Sequence, residues 1–193
     1  MEQHATHDSF GAVMLPAATR RWRPDWPCPV VAILGQHRRG PGDPTLRPEP
    51  GVVWRAMRTP QGPATIAVEH LSGDGIVTAQ AWGAGADWAL DALPALLGAE
   101  DDLTGFEARH PLVIEGQRRR PHWRFSRSGL VLESLVPAVI EQKVTGQEAF
   151  AGFRDLVRRF GEPAPGPRPD LMLQPDAATL RSIASWDWLA LHI

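Results

Sequence analysis

Apolar positions come in short alternating runs through the first half of the chain and regroup at helical spacing in the second. Residues 1–29 show no clear period and carry Pro16, Pro24, Pro27 and Pro29, which predicts a poorly structured segment. Pro29–Gln36 (PVVAILGQ) is short and apolar and fits either a strand or one or two helical turns. Arg38–Pro44 (RRGPGDP) is a turn by composition. It lacks the Gly-Lys-Ser/Thr ending of a phosphate loop. Gly51–Arg58, Ala64–His70 and Ile76–Trp82 are rich in β-formers, and the turn sequences TPQG (Thr59–Gly62) and SGDG (Ser72–Gly75) separate them. Ala64, Ile66 and Val68 alternate with Thr65 and Glu69, as in a half-buried strand. Connections this short predict an antiparallel meander, whose apolar face helices must cover.

Helical spacing follows. Ala86–Leu97 sets Leu90, Leu93 and Leu97 on one face, with Pro94 kinking the helix or starting a second piece. Leu103–Arg109 predicts a short helix begun by Asp101 or Asp102. Gly129–Gln142 is strongly apolar; Leu132, Val136, Val139 and Ile140 share a face, which predicts a central, largely buried helix despite Pro137. Thr145-Gly146-Gln147-Glu148 has the form of a capping box, and Ala149, Phe150, Phe153, Leu156, Val157 and Phe160 continue it as an apolar stripe. A Pro-rich connector (Glu162–Pro169) leads to a helix over Asp176–Ala184, and Ser185 is placed to cap one more.

Composition adds limits more than direction. The 193 residues, 43% hydrophobic and 22% charged, suit one globular domain or two small ones. A net charge of -2 gives no global basic field. Every basic residue but Lys143 is arginine, and Arg109, Arg118, Arg119, Arg120, Arg124 and Arg127 face a single acid, Glu115, between positions 109 and 127. Such a stretch is either a solvated loop or a set of phosphate contacts. Cys28 stands alone and fits a small core residue. No signal-peptide stretch and no apolar run of about 20 residues occurs, so a cytoplasmic protein without membrane contact is expected. The seven histidines are scattered without ligand spacing, so no metal is expected.

Leu132–Phe160 (LESLVPAVIEQKVTGQEAFAGFRDLVRRF) resembles the two helices whose junction faces the lesion in the helix–hairpin–helix DNA glycosylase superfamily. Within it, the chain is similar to the DNA-3-methyladenine glycosylase II branch. Gly85–His110 looks like that branch's linker helices, and the meander looks like its N-terminal sheet domain. The resemblance implies an α+β fold in which an N-terminal antiparallel β-sheet domain precedes the first helices of a truncated all-α glycosylase domain. The expected organisation is 1–29 poorly structured, 30–110 sheet with covering helices, 111–128 Arg-rich connector and 129–193 incomplete helical domain. The implied partner is double-stranded DNA carrying alkylated bases, bound without cofactor by a protein that is monomeric when complete.

In such an enzyme a base is flipped out and a side chain plugs the hole. By resemblance the plug follows Gln142 and is Lys143, where better-known members carry an apolar residue. Lys143 is then a wedge, a phosphate contact beside the wedge, or a solvated lysine. Gln142 hydrogen-bonds the orphaned base or backbone, or merely caps its helix. Val144 and Thr145 complete the corner, and Arg118, Arg119 and Arg120 are the candidate phosphate contacts. The family's Leu-Pro-Gly-x-Gly hairpin and later catalytic Asp have no counterpart. Asp155, Asp170, Asp176 and Asp187 all lie upstream of where the hairpin would begin, so no catalytic residue is assigned. A fragment is therefore expected, with an exposed apolar patch where Leu189, Leu191 and Ile193 lack cover. A non-catalytic DNA-binding module, or an inactive glycosylase fragment, is the alternative; an unrelated ligand-binding α+β protein is a further one.

Overall fold

Five strands form one antiparallel sheet in a computed structural model that describes residues 16–71 and 75–191. Residues 1–15, most of the Ser72–Gly75 turn and the last two residues, including Ile193, lie outside the described residues. The strands are β1 (Ala18–Trp22), β2 (Leu46–Glu49), β3 (Val52–Thr59), β4 (Gly62–Leu71) and β5 (Ile76–Trp82), in the order β1-β5-β4-β3-β2. β3, β4 and β5 are the expected meander. A two-residue turn joins β3 to β4, with Thr59 opposite Gly62 and its hydroxyl donating to the Gly62 carbonyl at 2.8 Å.

Both edge strands escaped the sequence pattern. β1 lies within the segment expected to be poorly structured, so the sheet reaches back across the boundary set at residue 29. Its inward positions are Ala18, Arg20 and Trp22; Arg20 breaks the apolar alternation and donates to the Leu90 carbonyl at 2.8 Å. β2 buries only Leu46 and contains Pro48, which an edge strand tolerates.

Short helices cover one sheet face: α1 (Val30–Leu34), α2 (Ala86–Asp91) and α3 (Leu93–Leu96). Pro94 starts a second piece, as one of the two readings had it. Ile33, Leu34, Ala89, Leu93 and Leu97 pack there with Ile66, Val68, Val77 and Ala79, all fully buried. Each large aliphatic side chain so buried contributes about 1.5–3 kcal/mol. Cys28 is part of this core, and burial pushes its thiol up to about 11.

β4 is covered on both faces, not half-buried: Thr65 and Ala67 are as buried as Ile66 and Val68. Trp54 and Trp82 stack on the second face, with ring centroids 5.4 Å apart. The Pro-rich connector lies across them; the two-residue strand β6 (Glu162–Pro163) opens it, and β7 (Met172–Leu173), just past its end, pairs back with β6. Leu171 and Leu173 bury against Ala56. Gly166 passes so close that a Cβ there would sit 2.9 Å from the Trp82 ring.

The helical part differs from expectation in two places. Residues 103–109 form one short turn in irregular backbone and not a helix, because Gly105 takes φ 77° and Asp102 accepts the Thr104 amide in a local turn. A helix appears instead in the stretch expected to be a connector: α4 (Pro111–Arg119). His110 supplies its cap by accepting the Leu112 amide, and Pro111 supplies a preset first residue. Second, α5 (Val131–Ile140) is not largely buried. Pro137 and Ile140 are buried, whereas Val131, Leu135 and Val139 are 77%, 53% and 54% exposed. Its inner side packs on α6 (Gly146–Phe160), and Ile140, Ala149, Phe153, Leu156 and Val157 form a second core with Ile183 and Leu191.

α7 (Ala177–Ser182) starts at Asp176, whose carboxylate accepts the Thr179 amide at 2.7 Å. α8 (Ser185–Ala190) has Ala184, not Ser185, at its cap. Leu191 is buried, against expectation, while Leu189 and Trp186 are exposed. Among the described residues no helix is long and apolar enough to cross a membrane.

Candidate nucleic-acid interface

The corner between α5 and α6 is built by one residue in an unusual conformation. Glu141 continues the helical turn (φ -71°, ψ -5°), and the Gln142 amide closes it on the Val139 carbonyl at 3.2 Å. Lys143 then takes φ 62°, the one positive φ at a non-glycine among the described residues. An L-residue there costs about 1–2 kcal/mol. Thr145 returns to extended backbone (φ -71°, ψ 155°) and caps α6.

The capping box is complete. Thr145 Oγ1 accepts the Glu148 amide at 3.4 Å, and the Thr145 amide donates back to Glu148 Oε2 at 2.9 Å. The Thr145 amide and the Thr145 hydroxyl, both donating to it, hold the Glu148 carboxyl below its ordinary range. The box is therefore fully formed above the unfolded carboxylate pKa and is lost as pH falls through the lower folded value. Replacing Thr145 with alanine will cost about 1 kcal/mol at neutral pH; urea unfolding of T145A checks it, and an unchanged midpoint would show that the box adds nothing.

All four corner side chains, Gln142, Lys143, Val144 and Thr145, are exposed. Neither Gln142 nor Lys143 has a side-chain hydrogen bond or ion pair among the described residues. The adjoining Glu141 does: its carboxylate lies 3.9 Å from Arg39 of the Arg38–Pro44 turn.

The arginine stretch is less free than its sequence implied. Arg118 and Arg119 both bind Glu115, at 3.0 and 2.6 Å, and they hold its carboxyl low. Arg109 pairs with Glu107, Arg127 with Glu100, and Arg124 stacks over Trp26 at 3.7 Å. Arg120 is exposed and its side chain has no hydrogen bond or ion pair among the described residues. Exposed pairs of this kind are worth little and yield readily to a phosphate. No hydrogen bond or ion pair among the described residues ties α4 to the corner.

Each aspartate set aside as a catalytic candidate has a place in the structure. Asp155 is exposed on α6. Asp170 binds Arg168 at 2.9 Å, Asp176 caps α7, and Asp187 pairs with Arg159. Among the described residues no three His, Cys, Asp or Glu gather as a metal site.

Sequence reasoning missed the polar cluster that fastens α5, and with it the corner, to the sheet. Glu133 takes Arg55 Nη2 at 3.2 Å and the Arg58 amide at 2.5 Å. Gln174 receives Arg58 Nε on its carbonyl at 2.6 Å and gives its side-chain amide to the Leu132 carbonyl at 3.3 Å. A cavity of about 20 Å³, lined in part by His37, Arg39, Arg55 and Glu133, lies among them. The available signal was an Arg inside a β-rich run (VVWRAMR) and a Glu inside an apolar helix (VLESLV).

No protein-family model matches the sequence, and no curated protein matches it. The fold is similar to the solved structure of a 3-methyladenine DNA glycosylase from Archaeoglobus fulgidus. The TM-score is 0.68 at 16% identity, over 90% of this chain and 62% of that one. The chain thus has a DNA glycosylase-like α+β fold and spans about 62% of the length of that neighbour.

Proposed function

We propose that the chain is the N-terminal part of a monofunctional DNA glycosylase of the 3-methyladenine type, related to the DNA-3-methyladenine glycosylase II branch. The complete protein hydrolyses the N-glycosidic bond of alkylated purines in base excision repair, as a cytoplasmic monomer without cofactor. Residues 30–110 together with β1 serve as its sheet domain and 129–193 as part of its helical domain. The observation that carries the reading is the corner. Four consecutive side chains, one of them a lysine held in a left-handed conformation, stand exposed at the junction of two packed helices. Strain retained at an exposed position is a mark of function.

Lys143 enters the vacated base position, its methylene stem filling the gap and its ammonium meeting a phosphate. Gln142 faces the orphaned base, Val144 and Thr145 border it, and Arg118, Arg119 and Arg120 contact the backbone further off. The catalytic group is not among these residues, and the spent roles of Asp170, Asp176 and Asp187 support that. The same fact favours the second reading, a DNA-binding module without catalysis.

Glycine suits the backbone at position 143 better than lysine does. Lys143→Gly will therefore leave stability unchanged or raise it by up to about 1 kcal/mol. It will also abolish any preference for a duplex containing an abasic-site analogue over the intact duplex, read by fluorescence anisotropy. Equal binding of both duplexes by the unmutated chain would overturn the reading. Purine release from alkylated DNA separates the two alternatives: none from any longer form of the protein would leave the binding module.

A further inference from the structure

We propose that the Arg38–Pro44 turn is a second DNA-backbone contact, gripping phosphates beside the corner from the sheet side; this rests on the corner being the edge that meets DNA.

Position is the first ground. The turn sits against the opening of α6. Gly40, at φ 73°, lies so close to Phe150 that a Cβ would be 2.5 Å from the ring. Phe150 in turn reaches back to Gly146, the first residue of α6. One turn further on, Arg154 donates Nη1 to the Pro41 carbonyl at 3.3 Å, and its stem passes Gly42. Arg39 meets Glu141, next to Gln142. The turn and the corner therefore form one continuous edge.

Rigidity is the second. Asp43 is buried and knots the turn from inside: it accepts the Arg39 amide at 2.7 Å and both the amide and hydroxyl of Thr45 at 2.8 Å. Gly40 and Gly42 both occupy positive φ, which a Cβ would strain. A turn ordered at folding loses little freedom on binding.

Charge is the third. Arg38 is exposed and its guanidinium has no hydrogen bond or ion pair among the described residues. Arg154 spends a donor on a carbonyl, not an acid. Arg39 bonds the Gln36 carbonyl, and its Nε is buried without a hydrogen bond. Of the acids nearby, Asp43 is committed to the turn and Glu148 to Thr145, which leaves Glu141 against Arg39. Guanidinium groups on a fixed backbone suit phosphate oxygens, which they bind through paired donors.

The test is the salt dependence of duplex binding, by anisotropy with intact and abasic-analogue oligonucleotides. Arg38→Gln is expected to lower the slope of log affinity against log salt by about 1. It should weaken both duplexes alike and leave the melting temperature unchanged. Arg21→Gln, an exposed arginine on the opposite edge strand β1, is expected to change nothing. If R38Q keeps the unmutated slope while K143G loses the abasic preference, this inference fails and the corner reading stands. If neither variant alters binding, both fail.

Discussion

Alanine in place of Glu133 will cost about 3–5 kcal/mol of folding stability, enough to unfold much of a marginal domain at 37 °C. The reason lies in Arg55, whose side chain is 6% exposed and whose charge Glu133 balances at 3.2 Å. Burial pushes the Glu133 carboxyl up, while Arg55 and the Arg58 amide draw it down. Removing the carboxylate strands a guanidinium in a site that water barely reaches, and it also frees the Arg58 amide. Removing both charges is different. Arg55→Met with Glu133→Leu should restore most of the loss, because apolar groups of similar size carry no desolvation penalty. Chemical denaturation of the two variants decides it. If the double variant is no better than Glu133→Ala, the damage comes from the unpaired Arg58 amide and not from an uncompensated charge.

Acidification supplies the second large effect. His37 is held neutral, its pKa pushed down to about 2 by burial and by Arg55 and Arg39. Its Nε2 lies 2.6 Å from Ser126 Oγ, and that hydroxyl donates to the Leu96 carbonyl at 2.5 Å. The ring must then donate through Nε2, which leaves Nδ1 as the proton-free nitrogen. In the unfolded chain the imidazole titrates near its ordinary 6.5. Because the folded value is depressed, the unfolded state takes up the proton first, and stability falls as pH drops below about 6.5. The loss approaches 1.4 kcal/mol per pH unit and reaches about 2 kcal/mol at pH 5. His37→Gln should flatten this slope between pH 7 and pH 5. An equally steep loss in the variant would assign the acid sensitivity elsewhere.

What the sequence revealed follows from how each feature is encoded. The meander, the Pro94 break and the capping box of α6 are written in local signals: alternation, a missing amide donor, a Thr three residues before a Glu. Edge strand β1 stayed hidden because Arg20 occupies an inward position and finds its acceptor in α2, a partner distant along the chain. The false helix over 103–109 arose from reading Asp101 or Asp102 as a cap when Gly105 turns the chain instead. The corner at 142–145 was legible by resemblance, but the left-handed backbone of Lys143 was not, since nothing about a lysine announces it. Arg118–Arg120 were legible as charge only; the attachment of Arg118 and Arg119 to Glu115 needs the helical spacing of α4, which had been read as a connector. The Arg55–Glu133 pair joins positions far apart in the chain, and no periodicity links them.

The doubly covered sheet bears on how the chain is born. The tryptophans of β3 and β5 leave the ribosome well before the proline-rich strap that shields them. For that interval a nascent chain with three finished strands presents a bare aromatic surface, the kind that holdase chaperones capture. Its first and second halves are thus bound to mature together.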